Sequence, residues 1–183
     1  VAFVNAIPVP VECKEDWMID PVSVEAAITP KTKAILPTQL NGRCCDMDAL
    51  RAIAKKHDLI IIEDAAQALG AKYKGEFAGT MGLAGTISFY PAKTLGSFGD
   101  AGAILTNDKE LYDKMRFARD HGRNDEGEFI MWGYNSRMDN LQAAILNYKL
   151  AYYDDEVKRR REIASIYHKE LSELHQIKLP QNP

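Results

Sequence analysis

Residues 59–64, LIIIED, constrain the fold more than any other stretch of this chain. Four consecutive apolar residues ended abruptly by two carboxylates read as a buried parallel strand whose carboxyl end carries charge. The segment before it, CDMDALRAIAKKHD, sets Met47, Leu50, Ile53 and Ala54 at helical spacing, with Asp46 as N-cap and Asp48 in the first turn. Upstream, KAILP reads as a strand, and PVSVEAAI as a short helix opened by Pro21. Downstream, GTISFYP and GAILTN are further strands. DKELYDKMRFARDHG is a helix begun by Asp108 and closed by Gly122. Strands alternating with helices predict an α/β fold with a mostly parallel sheet flanked by helices. Ligands of such sheets bind beyond the carboxyl ends of the strands. Asp64 and Lys93 both fall there.

From Met138 onward the pattern turns helical. Met138, Leu141, Ile145, Tyr148 and Tyr152 recur at three- and four-residue steps and are expected to pack in the core. A second helical stretch runs from about residue 156 to 174, and IKLPQNP reads as a linker. The basic run Lys158, Arg159, Arg160 and Arg161 is framed by Asp154, Asp155, Glu156 and Glu162, which predicts a solvated helix face. With a net charge of −3, no nucleic-acid partner is expected. A hydrophobic share of 46% with 27% charged residues is that of a soluble globular protein, and no apolar run is long enough to span a bilayer. No membrane partner and a cytoplasmic location are therefore expected. Cys13, Cys44 and Cys45 form neither a disulfide framework nor a zinc-binding spacing, which fits a reducing compartment. The opening Val1-Ala2-Phe3-Val4 reads as the middle of a strand, so the sequence is expected to be a fragment.

Four residues carry candidate chemistry. Asp64 ends a dry strand, where an uncompensated charge costs several kcal/mol. It either caps a helix beginning at Ala65 or faces a cationic ligand group such as a protonated pyridine nitrogen. Gln67, three residues on, projects from the same side if the segment turns helically. Lys93 follows an aromatic stretch and precedes Gly96, Gly99 and Gly102, which let the backbone turn close to a ligand. That setting suits a reactive amine as well as a plain loop lysine. The glycine spacing matches neither a Walker A loop nor a dinucleotide fingerprint. Ser88, five residues before Lys93, stands at a strand end and can donate to a phosphate. An imine-forming lysine, a carboxylate and a phosphate-binding serine together suggest a pyridoxal 5'-phosphate (PLP) site.

The stretches IIEDAAQALGAKYKG, TISFYPAKTLGSFGDAGAILTND and GYNSRMDNLQAAIL strongly resemble the DegT/DnrJ/EryC1/StrS family of PLP-dependent sugar aminotransferases, in order and approximate spacing. The resemblance implies the type I (aspartate aminotransferase) fold and a homodimer. It implies transfer of an amino group, usually from glutamate, to a nucleotide-linked keto-sugar. Lys93 is then the lysine that holds the cofactor covalently, Asp64 meets the pyridine nitrogen, Gln67 contacts the ring and Ser88 binds the phosphate. Asn135 reaches across the dimer to the other subunit's phosphate. Residues 1–150 are the central part of the PLP-binding large domain, and 151–183 a long helix and linker leading toward a missing small domain. Ala101 stands in a usual glycine position, and Gln39 and Asn41 are expected to alter the substrate rim. The family's N-terminal phosphate-binding turn and stacking aromatic are absent, so this chain alone is expected to be inactive. Two alternatives remain: PLP-dependent sugar dehydration, against which the lysine argues because those relatives carry histidine there, and a non-catalytic fragment or interaction module.

Overall fold

A computed structural model describes residues 1–180. Its elements, in chain order, are a single 3-10 turn at Ala2–Val4, α1 (Pro21–Ala26), β1 (Ala34–Ile35), α2 (Met47–His57), β2 (Ile60–Asp64), β3 (Lys72–Tyr73), β4 (Glu76–Phe77), β5 (Ala84–Ser88), β6 (Gly102–Leu105), α3 (Lys109–Ala118), α4 (Asn140–Leu150) and α5 (Tyr153–Leu171). The main sheet has the order β1-β2-β5-β6, and β3 and β4 form a separate small hairpin. β1, β2 and β5 run parallel while β6 is antiparallel to β5, so the sheet is mostly parallel as expected.

The helix starts follow the capping logic of the sequence. Asp20 accepts from the Val22 and Ser23 amides ahead of Pro21, and Asp46 accepts from the Ala49 amide at 3.1 Å. Asp58 ends α2 in the left-handed conformation, and Asp108 opens α3 by accepting from the Leu111 amide at 2.9 Å. The predicted inner face of α2, formed by Met47, Leu50, Ile53 and Ala54, is buried against Ile35, Ile61 and Ile87 of the sheet. Each such large side chain contributes about 1.5–3 kcal/mol on burial. The opposite sheet face is partly open, with Leu36, Ile60 and Ile104 exposed.

Four expectations are corrected. Val1–Val4 forms a tight turn rather than a strand, closed by the Val4 amide on the Val1 carbonyl. The KAILP strand shrinks to two paired residues, because Pro37 has no amide to continue the ladder. α3 ends at Ala118, four residues before Gly122, which still returns its amide to the Phe117 carbonyl at 2.9 Å from a φ of +78°. Leu141, Tyr148 and Tyr152 are exposed, whereas Leu146 and Tyr153 are the buried residues of the helical region. The 3.6-residue period admits both stripes, and the packing partners Leu95, Leu69 and Phe89 select the second. The basic run from Lys158 to Arg161 is exposed on α5, as expected. The predicted linker IKLPQNP lies partly outside the described residues. Among the described residues no helix is long and apolar enough to cross a membrane.

Candidate active site

Strand alternation decides which carboxylate of the pair meets solvent. Ile61 and Glu63 point into the core, so Asp64 must rise from the opposite face. Asp64 pairs in register with Thr86 of β5, and Ser88 is the next residue on the same face of that strand. The carboxyl ends of these two adjacent parallel strands thus carry a carboxylate and, two residues further along, a hydroxyl on the same sheet face.

The Asp64 backbone is held on both sides. Its amide donates to the Pro37 carbonyl at 2.9 Å, and its carbonyl accepts from the Gln39 amide at 2.8 Å. Its Oδ1 accepts from the Ala66 amide at 3.1 Å. No helix follows, so the capping alternative reduces to a turn spanning two residues. Its other oxygen makes no hydrogen bond among the described residues. Ser88 Oγ accepts from the Tyr90 amide at 3.2 Å, which leaves the hydroxyl proton available for donation.

Lys93 sits on the loop between β5 and β6, which folds back on itself. The Phe89 amide donates to the Ala101 carbonyl at 2.9 Å, the Lys93 amide to the Tyr90 carbonyl at 2.8 Å and the Ser97 amide to the Phe89 carbonyl at 2.8 Å. The closeness of this fold explains Gly96, where a Cβ would lie 2.4 Å from the Pro91 carbonyl oxygen. Lys93 is partly buried, yet its Nζ has no ion-pair or hydrogen-bond partner among the described residues. Helix α4 fixes the loop from outside. Phe98 donates its amide to Gln142 Oε1 at 3.0 Å, and Lys149 Nζ donates to the Gly96 carbonyl at 2.5 Å. Tyr153, at the start of α5, donates its hydroxyl to the Leu69 carbonyl at 2.8 Å and so holds the loop that follows Asp64.

Gln67 is exposed and tied to a neighbouring loop, its Oε1 accepting from the Asn41 amide at 3.3 Å. Asn135 is exposed on a different loop, bridged antiparallel to Asp120. That loop is tight: a Cβ at Gly133 would lie 2.1 Å from the Gly122 nitrogen, and Asp120 pairs with both Arg123 and Arg137 at 3.2 and 3.1 Å. Asp64 and Ser88 thus end adjacent strands, and Lys93 lies on the loop that leaves Ser88. No hydrogen bond joins Asn135 to them.

Gln39 does not line a substrate rim. It is fully buried, with its Nε2 donating to Glu63 Oε2 at 2.8 Å and its Oε1 accepting from the Cys45 amide at 2.7 Å. Glu63 escaped the sequence reading, although alternation from Asp64 already points it inward, and the rim expected at Gln39 is corrected to a core position. Burial pushes the Cys44 and Cys45 thiols up to about 11, which makes them poor nucleophiles at neutral pH. Among the described residues no cluster of histidine, cysteine and carboxylate side chains could hold a metal ion.

Residues 1–183 match the model of the DegT/DnrJ/EryC1/StrS aminotransferase family. The chain is 52% identical over 155 residues to a pleiotropic regulatory protein of Geobacillus stearothermophilus, covering 85% of this chain and 42% of that one. It is 46% identical over 181 residues to the dTDP-3-amino-3,4,6-trideoxy-alpha-D-glucose transaminase of Streptomyces venezuelae, covering 98% of this chain and 48% of that enzyme. A crystal structure of a DegT DnrJ EryC1 StrS aminotransferase from Brucella abortus matches with a TM-score of 0.93 at 39% identity, covering 100% of this chain and 51% of the other. The α/β fold agrees with the type I architecture expected from the sequence. The chain spans about half the length of these relatives.

Proposed function

The chain belongs to the DegT/DnrJ/EryC1/StrS aminotransferase family, and from that premise we propose that the whole protein moves an amino group from an amino acid, glutamate in the first instance, onto a nucleotide-linked keto-sugar with PLP as cofactor. The observation that carries this reading is a partly buried, unpartnered Lys93 on the loop leaving β5, a strand that ends at Ser88 and pairs with β2, which ends at Asp64. A covalent amine, an acceptor for a ring N–H and a donor to a phosphate are the groups PLP requires, so the residues present fit it.

When bound, PLP supplies an electron sink for the carbon that bears the amino group. Lys93 Nζ would hold the cofactor and would serve as the base and acid that moves a proton at that carbon. Asp64 keeps a proton on the ring nitrogen through its unbonded carboxylate oxygen. Ser88 donates to the phosphate, Gln67 offers its amide to the ring, and Asn135 serves the phosphate of a second subunit in a homodimer. Free cysteines are in keeping with a cytoplasmic setting. Residues 1–150 act as the central part of the cofactor domain, and 151–183 lead toward a further domain.

The test supplies the whole protein with glutamate and a nucleotide-linked keto-sugar and follows amino-sugar formation by mass spectrometry. Amine transfer that is lost in Lys93→Ala, and largely lost in folded Asp64→Asn, is the expected result. Transfer that survives Lys93→Ala would overturn the reading, as would loss of the sugar hydroxyl without amine incorporation.

A further inference from the structure

Glu63 is a charged residue on a strand face where Ile61 and Ile87 are otherwise core, and it is fully buried. Four donors converge on it. Oε2 accepts from Gln39 Nε2 at 2.8 Å and the Gly79 amide at 2.9 Å, while Oε1 accepts from the Met81 amide at 2.5 Å and the Gly82 amide at 2.8 Å. All four partners donate and none accepts, so the set suits a carboxylate and no neutral isostere.

The network extends on both sides. Arg51 of α2 donates from Nε and Nη2 to the Met81 carbonyl at 3.2 and 2.9 Å, and it grips Glu76 with both terminal nitrogens. The 76–82 segment is thereby fixed from outside while Glu63 fixes it from within. On the other side Gln39 is locked through its side chain, and its own amide donates to the Asp64 carbonyl. Glu63 is therefore joined to Asp64 twice, by the peptide bond and through Gln39.

We propose that Glu63 is a positioning residue for Asp64: its buried carboxylate clamps Gln39 and the 79–82 turn, and so fixes the strand end from which the Asp64 carboxylate meets a cationic ligand group. This rests on the reading of Asp64 given above. Glutamine at position 63 offers one acceptor oxygen and turns an N–H₂ toward backbone amides that also donate. The strand end then loses its lock while the apolar core of α2 remains in place.

The test compares wild type, Glu63→Gln, Gln39→Leu, Asp64→Asn and the core control Leu50→Ala in the whole protein. Two measurements are made: amide hydrogen exchange over residues 59–70, and PLP affinity by equilibrium dialysis with the pH dependence of the bound cofactor's absorbance. Glu63→Gln should speed exchange at residues 63–67 and weaken PLP binding about tenfold. It should also shift the absorbance midpoint in the direction that Asp64→Asn shifts it. Gln39→Leu should act the same way more weakly, and it serves if Glu63→Gln does not fold. Leu50→Ala should lower the unfolding temperature and leave affinity and midpoint unchanged. Faster exchange with wild-type affinity and midpoint in Glu63→Gln, while Asp64→Asn alters both, would overturn the positioning role and leave that of Asp64 standing. Unaltered cofactor behaviour in Asp64→Asn would instead overturn the reading of Asp64, and the role of Glu63 with it.

Discussion

Replacing Gly85 by alanine should be far more damaging than its chemistry suggests. Gly85 is buried in β5, opposite Glu63 of β2. A Cβ there would lie 2.2 Å from the Gly79 carbonyl oxygen and 2.4 Å from its Cα, where ordinary contact begins at 3.4 Å. The turn carrying Gly79 must retreat by about 1 Å, and overpacking of that kind costs about 1–3 kcal/mol. The same retreat pulls the Gly79 amide off Glu63 Oε2, now at 2.9 Å. Loss of a hydrogen bond to a buried charge adds about 1.5–3 kcal/mol. The total, about 2.5–6 kcal/mol, should lower the urea midpoint of unfolding by about 1–3 M. Gly99→Ala is the matched control. Its Cβ would meet only the end of the flexible Gln142 side chain, at 2.9 Å. It should cost less than about 1 kcal/mol. Urea titration followed by far-ultraviolet circular dichroism measures both variants. Equal losses, or a Gly85→Ala loss below about 1 kcal/mol, would refute the close packing of the 79–82 turn on the strand.

Tyr153→Phe leaves the Leu69 carbonyl without its 2.8 Å donor and should cost about 1–3 kcal/mol by the same titration. The raised Cys44 and Cys45 thiols keep their protons through mildly alkaline pH, so an aromatic disulfide reagent should consume the exposed Cys13 first and the pair only on unfolding. Because these folded-state values lie above the ordinary thiol value, their contribution is intact below that value and declines as pH climbs toward about 11. A Cys45→Ala variant should accordingly lose less stability than wild type over that alkaline window, measured by thermal melts. Mixing inactive Lys93→Ala with an inactive Asn135→Ala protein should restore part of the aminotransferase activity through hybrid dimers, and no recovery after proven subunit exchange would count against a shared site.

The strand and helix order was legible because β2 and α2 carry opposite periodicities within twenty residues. Asp20, Asp46 and Asp108 mark their helix starts with the side chain that satisfies the first amides. The positions of Asp64 and Ser88 at strand ends were legible because a strand end is where polarity interrupts an apolar run. The outward face of α4 was not. Leu141, Tyr148 and Tyr152 keep helical spacing as well as Leu146 does, and only the docking of Leu95 and Phe89 shows which stripe faces inward. Gln39 was misread because nothing local tells a loop glutamine from a buried one; its partner Glu63 lies 24 residues away. Glu63 itself was hidden beside a more conspicuous neighbour, although the period of two separates them.

The proposed function stands or falls with Lys93 as the residue that binds the cofactor covalently. Borohydride reduction of the whole protein in the presence of PLP, followed by proteolysis and peptide mass mapping, tests it most directly, because reduction makes any lysine–cofactor bond permanent. A single stoichiometric pyridoxyl label on Lys93 is expected, greatly reduced in folded Asp64→Asn and absent in Lys93→Ala. A label placed mainly on another lysine, or spread over the exposed ones with Lys93 unmarked, would contradict it.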